Sequence, residues 1–245
     1  MQLVKHLKGH SGATVSLYKD NDTYKVIKDN YDKAEQSVDI LKRLPFNTPD
    51  VYEVTSNKIV MEYINGMDIA TYLTRADNSD VDKLIDFLSE YINWCLDNST
   101  NVDFFEPLSQ KIYSLVQYID LSSLLTEKWS DIPQSLIHGD FTLENILYSN
   151  NKFYFIDANP TNLNSIWFDA NKLRQDIDSL WFVRNKKPSL ELKLNCSRIS
   201  KELKKRFTFM QKDYIMVLML SRILPYTIDK KTDEFLRTEI KKIWQ

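Results

Sequence analysis

The chain is short of cysteine, glycine and long apolar runs, and each shortage removes a class of protein. Its two cysteines, Cys95 and Cys196, stand far apart with no CxxC or Cys/His cluster around them. That excludes a disulfide scaffold and a structural zinc site, and it fits a reducing, cytoplasmic setting. The longest apolar stretch near the C-terminus, residues 214–220, falls far below the roughly 20 residues of a membrane-spanning helix, so no membrane span is expected. The first ten residues hold two lysines and no apolar core, so no secretory leader is expected either. Basic residues are not interleaved with aromatics and match no known module, which argues against nucleic acid as a partner. The net charge is only −2. Acidic residues dominate up to residue 170 and basic ones after it; Lys186, Lys187, Lys201, Lys204, Lys205 and Arg206 read as solvated faces of loop and helix, with an anionic partner for this region as the alternative.

What remains is a chain of 245 residues with ordinary apolar content, enough to bury a core in one large domain or two lobes. Residues 1–63 read as mostly β. Two β-rich runs, 13–18 and 23–28, flank a polar turn; two more, 51–55 and 58–63, flank Ser56-Asn57. Between these pairs, residues 32–44 place Ala34, Val38 and Leu41 at helical spacing and stop at Pro45. Asn65-Gly66 breaks the pattern. From Ile69 helices dominate: one over 81–96, one or a pair over 107–125, and helices from Asp169 to the end with breaks at Pro188 and Pro225. A small β island interrupts them at 135–137, 146–148 and 153–156. The expected class is α+β, with a β-rich part over 1–64 and a larger, mainly helical part over 65–245.

One segment concentrates chemistry: Ile137-His138-Gly139-Asp140-Phe141-Thr142-Leu143-Glu144-Asn145-Ile146-Leu147, followed by Phe155-Ile156-Asp157. An Asp and an Asn five positions apart on one tight loop can serve neighbouring points. Asp140 would orient or accept the proton of an attacking hydroxyl, and Asn145 would give an oxygen to a metal. Asp157, at the end of a strand, would bring a carboxylate to the same Mg²⁺. Phosphoryl transfer asks the protein for alignment and charge neutralisation more than for covalent help, and Mg²⁺ is satisfied by one or two carboxylates plus phosphate oxygens.

This segment resembles the HGDxxxxN loop and following Asp of the aminoglycoside phosphotransferase and choline kinase family. The resemblance implies a two-lobed protein-kinase-like fold, with a small β-rich N-lobe for nucleotide and a larger helical C-lobe for catalysis and acceptor. It implies that His138 organises the loop and is not a base, and that Asp169, in Trp167-Phe168-Asp169, braces it. Gly9-His10-Ser11-Gly12 resembles the nucleotide-covering loop, with Ser11 and Gly12 at the phosphates. Val26-Ile27-Lys28 resembles the strand whose lysine reaches the α/β-phosphates; Glu35 is then the matching carboxylate partner, with Asp32 and Asp39 as fallbacks. Glu62, Tyr63 and Ile64 resemble the hinge whose backbone meets the nucleobase, ATP or GTP. All four glycines of the chain fall in these segments.

The implied activity is Mg²⁺-dependent transfer of the γ-phosphate to a hydroxyl of a small molecule. For the acceptor, Asp176, Asp178, Trp167, Trp181 and Tyr226 would suit a cation or a stacked sugar ring, and Arg174, Arg184 and Arg222 an anionic sugar. The segments at 178–181 and 221–226 are similar to phosphotransferases of sugar or surface-polysaccharide metabolism, so a sugar-like acceptor or polysaccharide precursor is expected beside an amino alcohol. Two other classes stay open: a nucleotide-binding pseudokinase, which would tolerate loss of Asp140, Asn145 or Asp157, and a protein kinase, which would carry D-F-G and A-P-E where this chain has Asp157-Ala158-Asn159 and no A-P-E.

Overall fold

The computed structural model describes residues 1–7 and 12–244. In chain order its first elements are β1 (Gln2–Leu7), β2 (Thr14–Asp20), β3 (Thr23–Asp29), α1 (Ala34–Arg43), β4 (Val51–Val54), β5 (Lys58–Glu62) and β6 (Met67–Asp68). Then come α2 (Ile69–Arg75), α3 (Asn78–Asp97), β7 (Thr100–Val102), α4 (Phe105–Leu115), β8 (Ile132–Gln134), β9 (Ile146–Ser149) and β10 (Lys152–Phe155). The chain finishes with α5 (Ile166–Ile177), α6 (Leu190–Arg206), α7 (Asp213–Ser221) and α8 (Lys230–Ile243). A small antiparallel sheet thus precedes a larger helical part, as the sequence indicated.

Two compact units share the chain, but not by a single cut. The first comprises Met1–Ile69, His138–Asp140 and Asn145–Thr161; the second comprises Ala70–Ile137, Phe141–Glu144 and Asn162–Gln245. The chain first leaves the β-rich unit after Ile69, beyond the boundary expected at residue 64, and the catalytic segment returns to it.

In the first unit the five-stranded sheet runs β1-β2-β3-β5-β4, and β10-β9-β6 form a second, smaller sheet. Local chemistry sets both hairpins. β2 and β3 pair Asp20 with Thr23, and Asn21 takes the left-handed conformation at φ 55°. β9 and β10 pair Ser149 with Lys152 across Asn150 and Asn151, both left-handed at φ 49° and 59°. Asparagine tolerates that region best after glycine, so an Asn-Asn pair closes a two-residue hairpin. On α1 the buried residues are Ala34, Ser37, Val38 and Leu41, the expected stripe with a serine added. The two-residue strand β6 is too short to show alternation in the sequence; Met67 and Asp68 pair with Tyr148 and Leu147 of β9.

In the second unit a large apolar cluster joins α4, α5, α7 and α8. Every residue of α7 from Tyr214 to Ser221 is buried. The apolar stretch that was too short for a membrane is therefore a central core helix, apolar on all sides. Among the described residues no helix is long and apolar enough to cross a membrane. Side-chain caps begin four helices: Asp77 accepts from Asp80 N, Ser165 from Trp167 N, Ser189 from Leu192 N and Asp229 from Thr232 N. Two expectations are refined here. The strand expected at 135–137 lies at Ile132–Gln134, paired with β7, while the Ser135 amide bonds instead to Asn164 O at 3.0 Å. The helix or helix pair expected over 107–125 is α4, ending at Leu115, and a short 3₁₀ turn, Ser122–Thr126, which follows once Asp120 has accepted from Ser122 N at 2.9 Å.

Candidate active site

The catalytic segment is built from the backbone outward. His138 is fully buried, and Asp140 N donates to its Nδ1 at 3.3 Å. Nδ1 is therefore an acceptor, which leaves Nε2 as the protonated nitrogen, donating to Ile156 O at 2.9 Å. The ring ties the loop to the end of β10 and is spent on that task. Gly139 sits at φ +79°, and a Cβ there would run into the carbonyl of Asn159, whose own amide bonds to His138 O at 2.9 Å. Only glycine satisfies both demands.

Asn145 closes the loop. Its Nδ2 donates to Asp140 O at 2.9 Å and to Asp140 Oδ2 at 2.8 Å, and its own carbonyl accepts from Ile156 N at 3.0 Å. The result is a partly exposed Asp140 whose carboxylate accepts from Asn145, and among the described residues no hydrogen bond to Asn145 Oδ1 is seen. The next residue after Ile156, Asp157, is in the left-handed region at φ 58°. This unusual backbone turns its carboxylate back toward β3.

On β3, Lys28 is only 4% exposed. It faces Val15 of β2 and Ile59 of β5 in register. Its Nζ lies 2.5 Å from Asp157 Oδ1, and the other partner is a ring: the centroid of Tyr31 is 3.5 Å away. Glu35 does not fill the expected role. It stands exposed on α1, whose buried face carries Ala34, Ser37, Val38 and Leu41. The helix period puts Glu35 one step off that face. The fallbacks are exposed too, Asp39 being paired with Arg43 at 3.1 Å. Ser37 is the polar residue on the inward face, and its hydroxyl donates to Ala158 O, one residue beyond Asp157. Burial first, then the nearby carboxylates of Asp157 and Asp140, push the Tyr31 phenol above its ordinary pKa, against a hydrogen bond with Ser37.

Lys28, Asp140, Asn145 and Asp157 thus belong to one compact unit. Among the described residues no three His, Cys, Asp or Glu side chains cluster as a metal site. Two oxygen donors nevertheless suit Mg²⁺: Asn145 Oδ1 and the half-exposed Asp157 carboxylate. Phosphate and water ordinarily complete such a sparse set.

The hinge residues are narrowed by the backbone. Glu62 N donates to Asp50 O at 2.8 Å and Tyr63 N to Tyr24 O at 3.3 Å, so both amides are taken by the sheet. The Glu62 side chain accepts from Asp50 N at 3.3 Å. Among the described residues the Ile64 amide has no backbone partner, while Ile64 O accepts from Gly66 N at 2.8 Å. Gly12 is left-handed at φ +77° with open space where a Cβ would stand. Ser11, with Gly9 and His10, lies outside the described residues.

In the second unit, two buried carboxylates of α5 hold the residues between Asp140 and Asn145. Asp169 accepts from Phe141 N at 3.2 Å and from Tyr91 OH at 2.8 Å. Asp176, two turns later, accepts from Leu143 N at 2.7 Å and from Phe182 N at 3.1 Å. Asp169 is the expected brace. Asp176, weighed for the acceptor wall, is a second one; its spacing of seven from Asp169 was the available signal.

Several other candidates for an acceptor site are also engaged internally. Asp178 bonds Arg174 at 2.9 Å and Lys204 at 2.8 Å, and Arg174 reaches Asp213 at 2.7 Å. Burial would raise the Asp178 pKa, but the Arg174 and Lys204 charges and the Lys204 and Ser200 hydrogen bonds outweigh it and hold it low. A cavity of 490 Å³ opens beside this network, lined by Arg174, Asp178, Lys193, Lys204, Glu239 and Lys242, none of them catalytic-segment residues. Trp167 stacks on Phe209 at 5.6 Å, and Arg184 lies 3.8 Å over Trp181. Tyr226 is exposed.

No protein-family model and no curated protein sequence matches the chain. Solved structures do. An aminoglycoside phosphotransferase, APH(4)-Ia, aligns over 99% of this chain and 92% of its own at 11% identity, TM-score 0.59. A glucosamine kinase, in complex with glucosamine, ADP and inorganic phosphate, aligns over 94% and 76% at 10% identity, TM-score 0.56. A choline kinase from Streptococcus pneumoniae aligns over 99% and 94% at 14% identity, TM-score 0.52. At such identities the likeness is one of fold, and it is the fold that the catalytic segment pointed to: the chain has the protein-kinase-like fold found in aminoglycoside phosphotransferases and other small-molecule kinases.

Proposed function

We propose that the protein is a small-molecule kinase that transfers the γ-phosphate of ATP (or GTP) to a hydroxyl group of a sugar-like or amino-alcohol acceptor, with Mg²⁺. The observation that carries this reading is the Asp140–Asn145 pair in the same compact unit as the Lys28–Asp157 pair. Three named solved structures of the same fold are kinases of small hydroxylated molecules, one with ADP and an amino sugar in place.

In this reading Asp140 accepts the hydroxyl proton as the oxygen attacks. Its carboxylate is aimed by Asn145, and its backbone by His138 and by the Asp169 and Asp176 braces on the following residues. Lys28 gives its ammonium to the α/β-phosphates. Asn145 Oδ1 and the Asp157 carboxylate fit as ligands of Mg²⁺, which neutralises phosphate charge when bound. Aligning attacking and leaving oxygens under fixed positive charge accounts for most of the catalysis such a site can offer. The Ile64 backbone is the remaining hinge group able to meet the nucleobase, and Gly12 allows close backbone approach to phosphate. The buried, unpaired Cys95 and Cys196 accord with a cytoplasmic protein.

For the acceptor, the internal bonds of Asp176, Asp178 and Arg174 argue against a direct role for them, and neither a cation nor an anionic sugar is favoured over the other. A screen of nucleotide-dependent ADP release over amino sugars, neutral sugars, aminoglycosides, choline-like amines and homoserine tests the reading. Release coupled to one acceptor class, with phosphate recovered on that acceptor, supports it; no transfer to any hydroxyl compound, despite tight nucleotide binding, would favour a pseudokinase.

A further inference from the structure

A buried ammonium needs compensation, and the usual way to supply it on a β3 lysine of this fold would be a carboxylate from the neighbouring helix. Among the described residues α1 has none in position. The inward face of α1 is Ala34, Ser37, Val38 and Leu41, and its acids, Glu35 and Asp39, point to solvent. What stands beside Lys28 is an aromatic face. Asn30, left-handed at φ 58°, reverses the chain directly after β3. Tyr31 N then bonds Asn57 O at 3.0 Å, and Tyr31 O accepts from Ala34 N at 3.0 Å, so the residue is fixed at both backbone ends. Its ring is 7% exposed and its centroid lies 3.5 Å from Lys28 Nζ.

From this geometry we infer that Tyr31 is the positioning residue of the nucleotide-binding lysine: the ring face holds Lys28 in place of a helix carboxylate, and Asp157 supplies the formal charge. The inference rests on the kinase reading and deepens it. A ring attracts the cation through its quadrupole without taking any of its three N–H donors. Lys28 therefore keeps donors for phosphate oxygens while its stem stays fixed, and Asp157 keeps its second oxygen for a metal. Ser37, bonded to the carbonyl after Asp157, keeps α1 and that strand end together. The raised phenol pKa of Tyr31 keeps the ring in its neutral form.

The test uses the full chain with Tyr31→Phe and Tyr31→Leu, titrated with ADP and ATP. Phenylalanine keeps the ring face, so its nucleotide affinity stays within about threefold of wild type. Leucine keeps bulk but loses the quadrupole, so affinity falls roughly tenfold, the share of a partly desolvated cation–π contact. Once an acceptor is known, the loss appears in the KM for ATP more than in kcat. A second measurement does not depend on the Tyr31 variants: the ε-CH₂ protons of Lys28, assigned by comparison with Lys28→Arg, are shifted upfield by the ring in wild-type protein without nucleotide. Equal losses in Phe and Leu, no loss in Leu, or an unshifted Lys28 would each overturn the inference. Wild-type protein that binds neither nucleotide instead defeats the kinase reading itself.

Discussion

Asn145 grips Asp140 at two points, with one amide nitrogen 2.9 Å from the backbone carbonyl and 2.8 Å from the side-chain Oδ2. The carboxylate proposed to receive a proton is thus fixed by a residue that also carries a second side-chain oxygen. Asn145→Ala removes both bonds and that oxygen. The expected outcome is a fall in kcat of about 10²-fold or more with about 1–2 kcal/mol of stability lost, checked by steady-state transfer and urea unfolding.

The loop cannot accept a side chain at Gly139. Its φ of +79° and the Asn159 carbonyl in the path of a Cβ act together. Gly139→Ala should destabilise the protein by about 2 kcal/mol or more and abolish transfer, while Gly12→Ala, strained but unobstructed, costs less. Thermal unfolding of the two variants side by side checks the order.

Asp169 and Asp176 each satisfy two donors from inside the second unit. Replacing either with Asn leaves one oxygen to accept and brings an NH₂ against a donor. Each change should cost about 1–3 kcal/mol and lower kcat, with nucleotide affinity kept because the proposed phosphate groups, Lys28 and Gly12, are untouched. Calorimetric ADP binding against kcat separates the effects.

Asp178 sets an acid limit. Its pKa is held below the ordinary carboxylate value in the folded protein, so its contribution is fully present above the unfolded pKa of about 3.9 and is lost as the pH falls through the lower folded value. Asp178→Asn should therefore cost about 3 kcal/mol at neutral pH. The gap to wild type should begin to narrow below about pH 4 and shrink further as the pH falls. Unfolding free energies at pH 7 and pH 3 provide the check.

Both cysteines are buried, and burial pushes each thiol upward, Cys196 to about 12. A thiol reagent at pH 8 should leave the native protein unlabelled and modify both residues only at the rate of global opening. Fast labelling of either would place it on a mobile surface.

Much of the architecture could be read in advance because local signals were strong. The α1 stripe of Ala34, Val38 and Leu41 is inward as periodicity required, and the loop from His138 to Asn145 followed by Asp157 gave the fold. Most of the misses depended on contacts far apart in sequence. Glu35 looked like the lysine's partner by its place after Lys28, but the helix phase turns it outward and hands the charge to Asp157, 129 residues away. Asp176 and Asp178 looked like acids for a ligand, yet one braces backbone and the other anchors Arg174 and Lys204. The short strands β6 and β7 exist only through their pairing partners.

The most direct measurement compares wild type with Asp140→Asn for ADP affinity and for phosphate transfer to the acceptor found by screening. The asparagine has almost the same shape and should still lie against Asn145, so ADP should bind within about twofold of wild type. Transfer should fall by about 10²–10⁴-fold, the share expected of a lost proton acceptor. Turnover equal to wild type at the same acceptor would contradict the role of Asp140 and, with it, the chemistry assigned to this site.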